Sequence, residues 1–352
     1  GFEEKAYRIQ LAYNPTDELD VLFNLHSRSY DGTSSVFRAN ILDTGSNKLN
    51  DNYDRNKVYY DDGAVNGDNN PQAYDSDGWS LTANYDFGGF TLTSITAQEN
   101  AEGYSKGDID GGAVLVDDNS FEVPQGLTSA TYDNFGTPTI SLPGFIPFGA
   151  VTEDRMNDLE QFTQEVRFSS NGNTQLTWQT GFYYFDSSFS VESIDGYFGA
   201  TEVFHENTTW AVFGQSTYAL NDSTTVVGGI RYTEDEKSLY VGKQNEDGFA
   251  LVTGDATIQE YSPVSIDDGQ WSWEFMANHK LDDDLSVYAR IANGFRAQSI
   301  QGRDVAFEGY PSVAESETIM SYEAGFKADL LNNTLRLNGA AFTYIIEDIQ
   351  LT

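Results

Sequence analysis

Segments in which apolar and polar residues alternate recur along the chain, and this period-two pattern predicts β-strands rather than helices. Trp210, Val212 and Tyr218, for example, fall on one face of a predicted strand. Gln215 and Thr217 fall on the opposite face. Twelve strands are predicted in this way, over residues 6–13, 19–30, 78–87, 90–104, 158–169, 176–191, 206–220, 224–241, 270–281, 285–298, 318–330 and 334–349.

The connections between these strands alternate between short and long. Each short connection contains Gly, Asn, Asp or Pro, the residues that tight hairpin turns require. The long connections are polar, and two of them exceed forty residues, far more than the usual connection in a compact domain. They are predicted over residues 31–77, 105–157, 192–205, 242–269 and 299–317. Six hairpins with short turns at one end and long loops at the other are typical of an outer-membrane β-barrel.

The spacing of aromatic residues within strands supports the same fold class. Trp210 and Tyr218 are eight residues apart, or about 26 Å at about 3.3 Å per residue. Tilted by about 40°, this strand spans about 20 Å of depth, close to the spacing of two aromatic girdles. A soluble antiparallel sheet with one buried face explains the alternation equally well. It explains less well why no helix and no second apolar face is predicted in a chain of 352 residues.

Composition narrows the function classes. The 55 acidic and 19 basic residues give a net charge of −36, which excludes a protein that binds nucleic acid through basic patches. The absence of cysteine excludes disulfides, thiol catalysis and zinc–thiolate sites. Aromatic residues make up 14% of the chain, which favours β structure. A mean hydropathy of −0.46, without a long apolar run, excludes a transmembrane helix.

Catalytic chemistry has little support in the sequence. The three histidines, His26, His205 and His279, are far apart and belong to no metal-binding or nucleophile motif. Closely spaced Asp and Asn residues in the long loops could supply oxygen ligands for Ca²⁺, with Asp108 and Asp110 the best metal candidates. No loop matches the complete EF-hand pattern, and charged loops of this kind also serve solubility alone.

Charged residues on the polar strand faces predict a mixed-charge lining. They would form cross-strand pairs between neighbouring strands, contact a plug or touch a ligand, and residue type does not separate these roles. These residues are Glu165, Arg167, Arg231, Glu274, Arg290, Arg296, Glu323, Lys327 and Arg336.

Several segments together resemble the TonB-dependent outer-membrane receptors. DLEQFTQEVRFSS followed by LTWQTGFYYFDSS is similar to the middle of their barrel, as are TTWAVFGQSTYALNDSTTVVGGIRYTEDEKSL and LSVYARIANGFRAQSIQGR. The closing SYEAGFKADLLNNTLRLNGAAFTYIIEDIQ resembles their late barrel. Each segment is degenerate, but their order and spacing are specific and span nearly the whole chain.

The resemblance implies an all-β, antiparallel up-and-down transmembrane barrel of 22 strands around an N-terminal plug, in the outer membrane of a Gram-negative bacterium. It implies partners of three kinds: TonB, reached through the N-terminal region, outer-membrane lipid and lipopolysaccharide, and a small-molecule ligand. We expect the plug, the TonB box and the terminal aromatic-ended strand of this family to lie outside residues 1–352. We therefore expect residues 1–352 to be an internal barrel fragment with about half of the strands.

The expected function is active, TonB-energised uptake of a scarce nutrient by a protein that is not an enzyme. A ferric siderophore is the first expectation, with an oligosaccharide, haem or cobalamin as alternatives. A passive porin-like channel and a structural or adhesive surface protein remain open. Candidate ligand-binding residues at loop ends or on polar faces are His26, Arg28, Arg38, Tyr104, Arg296 and Arg303.

Overall fold

The structure is a computed structural model. It describes residues 1–34, 41–42, 46–49, 55–56, 70–108, 114–116, 120–122, 130–131, 151–172, 175–195, 199–244, 261–307 and 309–351. Among these residues, no helix is long and apolar enough to cross a membrane.

Twelve long strands form a single antiparallel sheet in which neighbours in sequence are neighbours in space, as the sequence predicts. This up-and-down order needs only hairpin connections, so no strand has to cross the sheet. The strands are β1 (Phe2–Tyr13), β2 (Leu19–Thr33), β3 (Pro71–Asp86), β4 (Phe90–Asp108), β8 (Val151–Ser170), β9 (Leu176–Asp195), β10 (Gly199–Asn221), β11 (Thr224–Gln244), β12 (Val264–Lys280), β13 (Leu285–Arg296), β16 (Glu317–Leu330) and β17 (Leu335–Glu347).

Short elements lie in two of the longer connections. Three of them pair with one another in a small separate sheet, namely β5 (Val114–Val116), β6 (Ser120–Glu122) and β7 (Ala130–Thr131). The connection after β13 contains β14 (Ser299–Gln301), the 3₁₀ helix η1 (Gly302–Phe307) and β15 (Ser312–Ala314).

The tight turns are stabilised by glycines with positive φ angles and by side-chain hydrogen bonds to the backbone. Gly88 and Gly172 adopt positive φ angles of 86° and 87°, which a glycine reaches without strain. Asn221 Oδ1 accepts hydrogen bonds from the backbone N–H groups of Ser223 and Thr224 at 3.0 and 2.9 Å. These caps hold the strands in register at the short-turn edge of the sheet.

The sheet has one apolar and one polar face, which we name by those terms throughout. Near the short turns, the apolar face carries an aromatic group in which Phe87 lies 4.6 Å from Tyr85 and 4.8 Å from Phe90 between ring centroids. Further along the strands, Tyr232 lies 5.6 Å from Trp210 and 5.0 Å from Trp271. These residues form two aromatic rows, and we call the apolar face between them the apolar band.

The strands extend further towards the long connections than the sequence indicates. The long loop expected over residues 192–205 is wrong, because β9 continues to Asp195 and β10 begins at Gly199. Beyond the outer aromatic row the outer side carries acidic side chains, while the polar face carries apolar ones such as Leu239, so the strands lose the alternation by which they are recognised. The backbone pairing nevertheless continues there, as between Ser190 and Phe204.

The connection between β13 and β16 folds back over the polar face, and we call residues 297–307 and 309–316 the strap. A Cβ atom on Gly302 would lie 2.9 Å from Leu239 Cδ1 and 3.6 Å from the ring of His205, so η1 packs directly on β10 and β11. Val305 is 0% exposed and Leu239 is 1% exposed. This small apolar core fixes the strap to the sheet.

Candidate ligand-binding surface

The polar face concentrates the positive charge of the protein. Cross-strand partners share a face, so the pairing register identifies the side chains that lie there. Ten of the 19 basic residues fall on the polar face, although acidic residues outnumber basic ones in the chain as a whole. They are Arg8, Arg28, Arg167, Arg231, Lys237, Lys280, Arg290, Arg296, Lys327 and Arg336.

Several of these cations form ion pairs within the sheet, as the sequence predicts. Arg290 on β13 donates to Glu274 Oε2 on β12 at 2.9 Å, and Gln215 on β10 donates to the other oxygen of Glu274 at 2.9 Å. Arg167 pairs instead with Glu165 of its own strand, two residues away, at 2.9 Å. The charges therefore tie strands together both across and along the sheet.

A hydrogen-bonding contact between His26 and Glu99 crosses an intervening strand. His26 Nε2 on β2 lies 2.8 Å from Glu99 Oε2 on β4, and both residues face Gly78 of β3 in the register. A Cβ atom at position 78 would overlap the Glu99 carboxylate. Gly78 is therefore needed because the pair occupies the space where a side chain would lie. Asn24 Nδ2 lies 3.1 Å from the other ring nitrogen of His26.

The base of the strap is held by a side chain of β11 and by one from the segment that follows β17. Gln350 Nε2 donates to the backbone oxygens of Ala297 and Glu315 at 2.9 and 2.8 Å. Lys237 Nζ on β11 donates to the Gln298 backbone oxygen at 2.9 Å and also pairs with Asp235. These contacts fix both ends of the strap against the polar face.

His205 lies beneath the strap, beyond the apolar band. Its ring stacks on Phe189 with a centroid distance of 4.9 Å and an interplanar angle of 15°. Burial lowers the pKa of the His205 imidazole, because a charged ring loses hydration there. The neutral ring is therefore the form that fits beneath the strap.

The candidate ligand-binding residues do not converge on one point. His26 and Arg28 share the polar face of β2, where Arg28 Nε donates to Glu4 at 2.8 Å. Arg296 lies at the distant end of the sheet, at the end of β13 and opposite Glu317. Arg303 lies in η1 of the strap. Arg38 lies outside the described residues, so the prediction for it stays open.

Tyr104 lies on the same side of the sheet as the apolar band rather than on the polar face. It pairs with Arg155 of β8, and its hydroxyl donates to Glu153 Oε2 at 3.1 Å. Burial and this hydrogen bond raise the pKa of the Tyr104 hydroxyl. Arg155 reaches this side because a β-bulge around Asp158, with φ 51°, reverses the alternation of β8. Its binding role remains a prediction.

The calcium prediction is also untested. Asp108 is the last residue of β4, and Asp110 lies outside the described residues. In the part of the chain that the structure describes, no group of three or more His, Cys, Asp or Glu side chains could hold a metal ion.

Acidic side chains form rows on the outer side of the sheet beyond the outer aromatic row, which sequence reasoning missed. They continue the face of the apolar band, for instance Asp77 opposite Asn100 and Glu236 opposite Thr208. The rows comprise Asp75, Asp77, Glu102, Glu160, Asp186, Glu206, Glu234, Glu236 and Asp267. These nine acidic side chains thus lie on the outer side of the sheet, away from the mixed charges of the polar face.

An up-and-down antiparallel sheet with a band of exposed apolar side chains, two aromatic rows and a mixed-charge inner face defines the class of outer-membrane β-barrels. The family model described as TonB dependent receptor-like, beta-barrel matches residues 8–352. The chain therefore belongs to the TonB-dependent receptors, which are proteins of the Gram-negative outer membrane, and its polar face is the lumenal wall.

Solved structures share the fold at low sequence identity. The ferric yersiniabactin uptake receptor FyuA from Yersinia pestis matches 99% of this chain with a TM-score of 0.67 and 15% identity. The ferripyoverdine receptor of Pseudomonas aeruginosa matches 97% with a TM-score of 0.64 and 11% identity. The ferric-catecholate import receptor Fiu from E. coli K12 matches 99% with a TM-score of 0.64 and 14% identity. The chain spans 46%, 42% and 52% of these three chains.

Proposed function

We propose that the protein containing this chain is an outer-membrane receptor for active, TonB-energised uptake of a scarce nutrient, most consistent with a ferric siderophore. The observation that carries the proposal is the family match over residues 8–352. The three similar proteins are named as receptors for ferric yersiniabactin, ferripyoverdine and ferric catecholates, which supports the ligand class. The protein acts by binding and transport rather than by catalysis.

The strap supports a receptor in preference to an open channel. It extends from the end of β13 to β10 and β11, and its core residue Val305 is 0% exposed. A structured segment of this kind narrows the lumen and presents groups to a ligand that enters from outside. In this proposal the apolar band contacts the acyl chains of outer-membrane lipid and lipopolysaccharide. Ca²⁺ in the extracellular loops remains a further proposal.

Uptake of iron in the producing bacterium tests the function. We would delete the gene, restore it on a plasmid and measure ⁵⁵Fe uptake from the siderophores of the spent medium, in strains with and without TonB. Loss of uptake without the gene, its recovery on complementation and its loss without TonB are expected. Uptake that persists without TonB would support a passive channel. Unchanged uptake in the deletion strain would exclude the iron-receptor function.

A further inference from the structure

The lumenal wall contains a cation that no carboxylate of the described residues neutralises. Arg231 Nε donates to Thr233 Oγ1 at 3.0 Å. Within the described parts of the chain, no ion pair of 4.0 Å or less joins Arg231 to Asp or Glu. The terminal N–H groups of its guanidinium are therefore donors without a charged partner.

Aromatic rings hold the guanidinium in place. Its central carbon lies 5.5 Å from the ring centroid of Tyr183 and 5.7 Å from that of Phe213. Small residues provide the space: Ala211 is 0% exposed, and a Cβ atom on Gly181 would lie 2.6 Å from Phe213 Cζ. Cation–π contacts of this kind leave the terminal N–H groups of a guanidinium available for hydrogen bonds. Arg231 is thus oriented before a ligand arrives.

Neighbouring carboxylates on the same wall are already paired with other cations. Glu165 pairs with Arg167 at 2.9 Å, and Glu274 pairs with Arg290 at 2.9 Å. These acidic groups lie near Arg231 in the sheet, but each forms its ion pair with a different cation. A guanidinium edge that remains open matches a planar anion with two oxygens, which it binds through two parallel hydrogen bonds.

We propose that Arg231 binds a carboxylate group of the imported ligand, an inference that rests on the proposed uptake function. The adjacent residue, Tyr232, belongs to the outer aromatic row, so Arg231 lies at the outer end of the apolar band. Along β11, Lys237 anchors the strap further out. A ligand that enters from outside and passes the strap reaches Arg231 before it reaches the deeper part of the lumen.

Calorimetry on the full-length protein, purified in detergent, tests the site with citrate as the probe. Wild type should bind citrate, and R231Q should weaken binding by about 10- to 100-fold, the usual effect of losing a charge-assisted bidentate contact. R231K should weaken it by about as much, because an ammonium lacks the planar edge. The matched control is R336Q, since Arg336 pairs with Asp329 near a short turn.

Each outcome decides the proposal. Equal citrate affinity in wild type and R231Q would overturn it, as would absence of citrate binding in wild type. The latter result is also expected if a carboxylate elsewhere in the full-length protein occupies Arg231. R231K keeps the positive charge and serves if R231Q does not fold, as judged by the heat-dependent migration of the barrel on gels. Calorimetry needs neither iron nor transport. Failure of the uptake proposal in the ⁵⁵Fe experiment can therefore be distinguished from failure of the proposal for Arg231.

Discussion

The attachment of the strap to the lumenal wall depends on Leu239, and its truncation gives a measurable prediction. Leu239 is 1% exposed and packs beneath η1, whose Val305 is 0% exposed. L239A removes three buried carbon atoms, worth about 0.8 kcal/mol each. A residual cavity adds to this cost, although a short segment can partly collapse into it. We therefore expect the strap to be less stably docked by about 2–3 kcal/mol.

This loss corresponds to an opening equilibrium raised by about 30- to 150-fold. Hydrogen–deuterium exchange with mass spectrometry on the full-length protein would detect it as faster exchange of the strap amides, with unchanged protection of β10 and β11. The matched control is L220A, because Leu220 is 52% exposed and lies at the opposite end of β10. Equal strap exchange in wild type and L239A would refute the packing argument.

Three other changes test the same wall. G78V should displace Glu99 and lower the free energy of unfolding in urea by about 1 kcal/mol, whereas G228V, whose Cβ atom has open space, should not; equal effects would contradict the need for glycine. Burial lowers the pKa of His205 from its ordinary 6.5, so the strap is most stable above about pH 6.5. Its opening equilibrium, obtained from exchange rates corrected for the intrinsic pH dependence of amide exchange, should rise as the pH falls below that value. H205Q should remove this rise, and an identical pH response in both proteins would exclude His205 as its source. Q350A removes three hydrogen bonds between this side chain and the strap and should raise exchange there by about tenfold; unchanged exchange would show that the remaining contacts suffice.

The membrane-spanning part of the fold could be predicted because lipid imposes a pattern on it. Leu285, Val287 and Ala289 alternate with polar residues since one face must be apolar and the other lines the lumen. Hairpin turns can also be predicted from the sequence, because residues such as Gly88 adopt backbone angles that few other residues tolerate. The same physics explains the error over residues 192–205, where neither face contacts lipid and the pattern disappears.

The lumenal contacts could be predicted only as far as residue type and face. The polar-face positions of Glu274 and Arg290 follow from strand periodicity, but their pairing requires the register between β12 and β13. Nothing in the sequence indicates that Gln350 reaches the strap base, because the contact joins residues 53 and 35 positions apart. The lack of an ion pair at Arg231 could likewise not be predicted. It depends on the strand register and on the other cations that pair with the neighbouring carboxylates.

The distribution of charge bears on which ligands can reach the lumen. A net charge of −36 would repel anions if it were spread evenly. The acidic rows face outwards, however, and charges separated by more than about 8 Å are largely screened at physiological ionic strength. Inside, basic side chains are numerous, and five of the ten on the polar face pair with a carboxylate of the described residues, so a ligand experiences the local arrangement rather than the total charge. An open guanidinium such as that of Arg231 can therefore select an anionic group despite the strongly acidic chain.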